Sequence, residues 1–165
     1  MRRTKIKKIK LILTDCDGVL TDSGMYYFDN GLEAKKFNTR DGKAFEILRN
    51  QGYKIGVITG EKTDIVKNRA KKLKMDIVVL GATNKIEFLN KICDELKITN
   101  ENVMYIGDDI NDEELLKNVG FSACPKDAHK RIKKVVDYIS AKNGGYGVIR
   151  DIVDKFFDGG IYNGK

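Results

Sequence analysis

Two aspartates stand one residue apart at the end of an apolar run, Leu11-Ile12-Leu13-Thr14-Asp15-Cys16-Asp17-Gly18-Val19-Leu20-Thr21-Asp22. A second carboxylate cluster, Gly107-Asp108-Asp109-Ile110-Asn111-Asp112, follows the apolar stretch Val103-Met104-Tyr105-Ile106. Carboxylates gathered in this way repel one another and need a cation. An all-oxygen set suits a hard ion such as Mg²⁺, which takes one or two carboxylates and keeps waters for a substrate phosphate. The chemistry implied is metal-assisted phosphoryl transfer. Asp15 can serve as a nucleophile on phosphorus and as a metal ligand. Asp17 can pass a proton to a leaving oxygen and take one from an attacking water, and Asp108 would complete the metal site. Thr59-Gly60 closes another apolar run, where a hydroxyl and the following amide can hold phosphoryl oxygens. Lys85 opens a helix and can neutralise charge on the transferring group. Phosphoryl transfer depends mainly on such positioning and neutralisation. Ordinary capping and turn roles for the aspartates do not explain several carboxylates crowded at strand ends.

The elements that must carry these residues alternate between strand and helix patterns. Short apolar runs at 9–14, 54–59, 77–80, 103–106 and 121–123 read as strands covered on both faces. Between them Ile86, Leu89, Cys93 and Leu96 recur at helical spacing, as do Val148, Ile149, Ile152, Val153 and Phe156. This alternation predicts an α/β fold, a parallel sheet flanked by helices. Ligands in open sheets of this kind bind beyond the carboxyl ends of the strands, where Asp15, Asp17, Thr59 and Asp108 all fall. One segment breaks the alternation. Met25-Tyr26-Tyr27-Phe28 and Glu33-Ala34-Lys35-Lys36-Phe37 flank Asp29-Asn30-Gly31. Asn-Gly signals a type I′ turn, so a β-hairpin over about residues 24–38 is expected directly after the first aspartate motif. The stretch 158–165 is expected to be frayed.

The 165 residues fit one domain, 1–165, with a single full-sized core. No apolar run approaches the ~20 residues of a membrane span. The basic start of the chain lacks the apolar core and cleavage site of a signal peptide. The net charge of +7 reads as a solvated lysine-rich surface. No aromatic residues interleave with basic ones as in single-strand binders, so no nucleic-acid partner is expected. Cys16, Cys93 and Cys124 form no CxxC pair and cannot all be bridged, which points to a reducing, cytoplasmic setting. The lone His129 has no neighbouring thiol or imidazole to build a zinc site.

With Asp15-Cys16-Asp17-Gly18-Val19, Thr59, Lys85 and Gly107-Asp108-Asp109 in this order, the chain resembles the haloacid dehalogenase phosphatases, whose fold is Rossmann-like. The resemblance implies an aspartyl-phosphate on Asp15 and Asp17 as general acid and base. It also implies Mg²⁺ held by the Asp15 side chain, the Asp17 carbonyl and Asp108. Many such enzymes carry a cap domain, but only a hairpin fits after Asp22 and few residues separate Leu80 from Lys85. The chain is therefore similar to the capless 3-deoxy-manno-octulosonate (KDO) 8-phosphate phosphatases and the related nonulosonate 9-phosphate phosphatases, from about residue 9 to 157. Thr21-Asp22, Phe37-Asn38-Thr39-Arg40-Asp41-Gly42, Asn84-Lys85 and Gly144-Gly145-Tyr146-Gly147-Val148-Ile149-Arg150 match as well.

The resemblance further implies a homotetramer in which each hairpin helps cover a neighbour's site. Substrate contacts are expected from Asn38, Arg40, Asp41, Gly42, Gly60, Glu61, Arg69, Lys72 and Asn111. After Thr59-Gly60 this chain has Glu61 where the octulosonate enzymes typically have arginine. That favours 2-keto-3-deoxy-nonulosonate (KDN) or N-acetylneuraminate 9-phosphate as substrate, with KDO 8-phosphate of lipopolysaccharide biosynthesis as the alternative. Arg40-Asp41-Gly42 looks more like the octulosonate branch. A reading of another class is a non-catalytic oligomerisation domain, since related domains occur fused to cytidylyltransferases. The Gly144–Gly147 segment reads either as a loop before the last helix or, by resemblance, as a tail approaching the site.

Overall fold

The structure, a computed structural model, describes residues 2–157; the expected frayed stretch 158–165 lies outside them. A short helix α1 (Arg2–Ile6) leads to strand β1 (Leu11–Thr14), and a small hairpin, β2 (Tyr26–Tyr27) and β3 (Glu33–Ala34), follows. The chain continues as α2 (Thr39–Asn50), β4 (Lys54–Ile58), α3 (Asp64–Leu73), β5 (Ile77–Val79), α4 (Lys85–Leu96) and β6 (Val103–Ile106). It ends with α5 (Glu113–Asn118), β7 (Phe121–Cys124), β8 (Tyr138–Ile139) and α6 (Val148–Phe156). Six strands form one parallel sheet in the order β5-β4-β1-β6-β7-β8. Each expected strand is present, with ends shifted by at most two residues. The two-residue β8 carries no periodicity of its own and was not foreseen. The expected absence of a cap agrees with the topology: β2–β3 is the insertion after β1, and residues 80–84 join β5 to α4 directly.

Strand pleating divides the core in two, because successive side chains point to opposite faces. Ile12, Ile55, Val57, Met104 and Ile106 face α2, α3 and α6, meeting Phe45, Leu48, Val66, Ile149 and Ile152. Leu11, Leu13, Ile58, Val103 and Tyr105 face α4 and α5, meeting Leu89, Ile92, Leu115 and Leu116. The same alternation sends Tyr105 toward the helix that starts at Lys85.

Local signals fix the helix ends that matter for the site. The Asn38 side chain accepts a hydrogen bond from the Arg40 amide at 2.9 Å and caps α2. Thr63 does the same for α3 through the Ile65 amide at 3.1 Å. The hairpin turn differs from the expected type I′. Only Gly31 (φ 80°), not Asn30, has positive φ, and Gly31 N–H donates to the Phe28 carbonyl while Phe28 N–H donates to Leu32 O. This is a three-residue loop in which a type I turn is followed by a left-handed glycine. The Asn30 side chain accepts from the Leu32 amide at 3.1 Å, a bond it makes with its own φ negative. All three cysteines are buried and free. Among the described residues no helix is long and apolar enough to cross a membrane.

Gly56, in the middle of β4, has no room for a side chain. A β-carbon there would lie 2.5 Å from Ile77 Cβ and 2.8 Å from Leu13 Cδ2. Gly56→Ala should therefore lower unfolding stability by ~1–3 kcal/mol through overpacking. That is about 2–4 °C in Tm per kcal/mol for a domain of this size. A wild-type Tm in thermal unfolding would contradict this packing.

Candidate active site

Asp15 is the first residue beyond β1, and its amide donates to Ile106 O at 2.8 Å, extending the β1–β6 ladder by one step. The chain then turns tightly, with the amides of Val19, Leu20 and Thr21 all donating to Cys16 O. Gly18 sits in this turn at φ 80°. A β-carbon on it would overlap the Asp108 carboxylate, so glycine is what lets the second acidic loop close on the first. Asp15 Oδ1 accepts from the Cys16 amide at 2.6 Å and Asp15 Oδ2 faces Lys85 Nζ at 2.7 Å.

Lys85 opens α4 and is buried, with Nζ also 2.7 Å from Asp112 Oδ1 and 3.3 Å from the Tyr105 hydroxyl. Tyr105 donates in turn to Asp112 Oδ1 at 2.7 Å. The other oxygen of Asp112 takes the Asp108 amide at 3.0 Å. Asp112 is completely buried and its oxygens are filled by donors from the helix start, β6 and the 107–109 loop. It is thus an anchor that holds Lys85 and Asp108 in register. Gly107 gives it space, since a β-carbon there would lie 2.5 Å from Asp112 Cγ.

The electrostatics follow from burial and crowding. Burial first, then the charge of Asp112, raise the Asp15 carboxyl above the usual range, against the lowering pull of Lys85. Asp108 is pushed up to about 8 by burial and by Asp15, Asp112 and Asp109. Burial acts against the charge of Lys85, but Asp15 and Asp112 outweigh it and its pKa stands above the ordinary value. Oxygens of Asp15, Asp108 and Asp112 lie within 4.8 Å of one another. Asp15, Asp17, Asp108 and Asp112 are opposed by two lysines, Lys85 and Lys35. Glu61 and Asp109 line the same cavity, so carboxylates outnumber lysines there, an excess that a cation would offset. The donor set and this excess of negative charge fit a hard metal ion.

Asp15, Asp17, Thr59, Gly60, Glu61 and Asp108–Asn111 line one cavity of about 340 Å³. A larger hollow of about 510 Å³ lies near Lys10, Tyr53 and Leu96 at the opposite edge of the sheet and gathers none of these groups. The Thr59 hydroxyl accepts from the Glu61 amide at 3.2 Å, leaving its own hydrogen available to a ligand.

The other expected contacts fall outside this cavity in the single chain. Asn38 caps α2. Asp41 is buried, accepts from the Arg150 amide at 2.9 Å, and is pushed up to about 6 by burial. Gly42 packs against Leu73 and Arg69. Arg40 lines a separate hollow with Lys142, Tyr146 and Arg150. Arg69 donates to Asn38 O at 2.9 Å and lies over the Phe37 ring, whereas Lys72 is exposed. Gly144 and Gly145 pack on the backbone of residues 18–22, and Gly145 N–H donates to Val19 O.

Three residues of the site were not singled out from sequence. Asp112 was visible in the second acidic cluster, but nothing local marks it as the buried member. Tyr105 looks like one more apolar strand residue. Lys35 is one of two adjacent hairpin lysines, and only the folded chain brings its Nζ to 2.5 Å from Asp17 Oδ2.

Residues 78–152 match the haloacid dehalogenase-like hydrolases. The chain is 35% identical over 151 residues to the 3-deoxy-D-manno-octulosonate 8-phosphate phosphatase of Salmonella typhi, covering 92% of this chain and 80% of that protein. It superposes with a TM-score of 0.92 and 31% identity on the same-named enzyme of Moraxella catarrhalis, solved with magnesium, phosphate and KDO, covering 94% and 90% of the two chains. The cobalt-bound phosphatase of Haemophilus influenzae gives 0.89 and 31%, with 93% and 90% covered. From this likeness along nearly its whole length, the chain belongs to the haloacid dehalogenase-like hydrolases, in the family of the 3-deoxy-D-manno-octulosonate 8-phosphate phosphatases.

Proposed function

We propose that this protein is a Mg²⁺-dependent phosphatase that removes the phosphate of KDO 8-phosphate through an aspartyl-phosphate on Asp15. The observation that carries this reading is the Asp15 carboxylate set 2.7 Å from the buried ammonium of Lys85, on a cavity that Asp17, Thr59 and Asp108 also line. A non-catalytic assembly domain would have no need to bury these groups together.

Mg²⁺, held by Asp15, Asp108 and the main-chain carbonyl of Asp17, would supply the positive charge that draws in the phosphate and polarises its P–O bonds. Lys85 offsets charge on the phosphoryl oxygens and holds the Asp15 carboxylate in place. The Thr59 hydroxyl and the Gly60 amide receive the same oxygens. An Asp15 oxygen attacks phosphorus as the bond to the sugar oxygen breaks, and Asp17 gives its proton to that oxygen, so the sugar leaves as an alcohol. Asp17 then takes a proton from a water that attacks the Asp15 phosphoryl group, and inorganic phosphate and free Asp15 are restored.

The nine-carbon preference suggested by Glu61 finds no support among the relatives, which are named for the eight-carbon acid. They favour the octulosonate reading, with which Arg40-Asp41-Gly42 agrees. The hairpin supports an oligomer. Tyr26, Tyr27, Phe28 and Leu32 are each more than half exposed, an apolar patch in need of cover. We read the assembly as a homotetramer whose neighbours close each other's open cavities, with Arg69 and Lys72 near those contacts.

Three outcomes are expected. Comparison of KDO 8-phosphate, KDN 9-phosphate and N-acetylneuraminate 9-phosphate should give the highest kcat/KM for KDO 8-phosphate; a nonulosonate in first place would reverse the assignment. Asp15→Asn should cut phosphate release by at least about 10³-fold with the fold retained in circular dichroism, and chelation should abolish wild-type turnover until Mg²⁺ is returned. Replacing Tyr26, Tyr27 and Phe28 by serine should convert a tetramer to smaller species in light scattering while p-nitrophenyl phosphate hydrolysis persists; a monomeric wild-type would refute the assembly.

A further inference from the structure

Asp17 is a carboxylate of the cavity that pairs with a cation from the hairpin. Its Oδ1 accepts from the Thr21 hydroxyl at 2.9 Å and its Oδ2 meets Lys35 Nζ at 2.5 Å. Lys35 is the first residue past β3, and its side chain is fully shielded from solvent while that of Asp17 is 28% exposed. Exposed lysines usually keep the ammonium in water and gain little from an ion pair. A shielded ammonium needs a fixed partner, and Asp17 is that partner here.

The neighbouring residues hold Lys35 in place. Lys36 Nζ pairs with Asp22 Oδ2 at 2.5 Å and donates to the Tyr146 hydroxyl at 3.1 Å. The Asn38 side-chain Nδ2 donates to Gly145 O at 3.2 Å, and Gly145 N–H donates to Val19 O at 3.0 Å. Residues 35–38 are thus stitched to both the Asp15–Asp22 loop and the Gly144–Tyr146 loop. A hairpin that served only as an interface would not need to reach Asp17 at all.

We propose that Lys35 is a positioning residue. Together with Thr21 it sets the orientation in which the Asp17 carboxyl faces the leaving oxygen and, later, the attacking water. The hairpin thereby has a role inside its own chain besides any role toward a neighbour. This inference rests on the proposed phosphatase reading and on Asp17 as its acid and base, but not on which sugar is the substrate.

The test uses Lys35→Met, which keeps an unbranched side chain of nearly the same length and removes its charge, and Lys35→Arg as the conservative control. With KDO 8-phosphate, whose sugar leaves as a poor alkoxide unless protonated, kcat for Lys35→Met should fall by about 10²-fold or more, with KM little changed. With p-nitrophenyl phosphate the leaving group needs no proton. Nitrophenolate should then appear in a burst of about one equivalent per site, followed by slow turnover as the intermediate waits for its water. Lys35→Arg should recover most of the rate. In an Asp17→Asn background, Lys35→Met should cost nothing further.

Unchanged kcat in Lys35→Met, a loss confined to KM, or full additivity with Asp17→Asn would each overturn the proposal. If Lys35→Met does not fold, Thr21→Val removes the other hydrogen bond to Asp17 and must show the same burst. Wild-type hydrolysis of p-nitrophenyl phosphate without action on KDO 8-phosphate would refute only the substrate, leaving the burst and the double-mutant comparison to decide on Lys35. No wild-type phosphatase activity on either compound would instead overturn the functional reading itself.

Discussion

The buried ammonium of Lys85, held between Asp15 and Asp112, is the interaction on which the rest of the site depends. It joins the end of β1 to the start of α4 and to the loop after β6. Without it, three carboxylates within a few ångströms would face one another in a poorly hydrated pocket. Removing one member of a buried pair costs about 3–5 kcal/mol, because the remaining charge is left uncompensated. Asp112 makes the arrangement specific. Its oxygens are filled by Lys85, Tyr105 and the Asp108 amide, so it supports the site from beneath, while Asp15 and Asp108 line the cavity.

That closeness sets a demand on the backbone. A β-carbon on Gly18 would run into the Asp108 carboxylate of the facing loop, and one on Gly107 into the Asp112 carboxylate of its own loop. Gly144 and Gly145 allow a third loop to lie directly on the backbone of residues 18–22. The carboxyl edge of the sheet is therefore a close stack of three loops, and glycine is the residue that permits each approach. The apolar sheet beneath supplies rigidity: β1 is flanked by β4 and β6 in parallel register, so Asp15, Thr59 and Gly107 emerge side by side.

The absence of a cap among the described residues leaves the cavity open toward solvent, while phosphoryl transfer gains from exclusion of water. The hairpin is the one insertion placed to answer this need. Its aromatic tip is exposed, and its base reaches Asp17 through Lys35. One small element thus spans from an exposed apolar surface to a carboxylate of the cavity.

The alternating apolar runs determined the sheet, its helices and the edge where ligands bind, because both periodicities are local and repeat over enough residues to be unambiguous. That Asp15, Asp17, Thr59 and Asp108 gather at one edge was legible because each follows a strand end, and Lys85 stood out at the start of a helix. What depended on tertiary structure was the pairing of groups far apart in the chain. Lys85 meets Asp112 across 27 residues and Lys35 meets Asp17 across 18, and no local pattern separates Lys35 from Lys36 or Asp112 from Asp109. The hairpin turn differed because Asn30 could satisfy Leu32 with its side chain while Gly31 alone took the left-handed conformation. Asp41, legible as a charge, found a buried place, and Arg69 a half-buried one, within their own chain. A charge in sequence states only that a partner is required, and the fold decides which one is near.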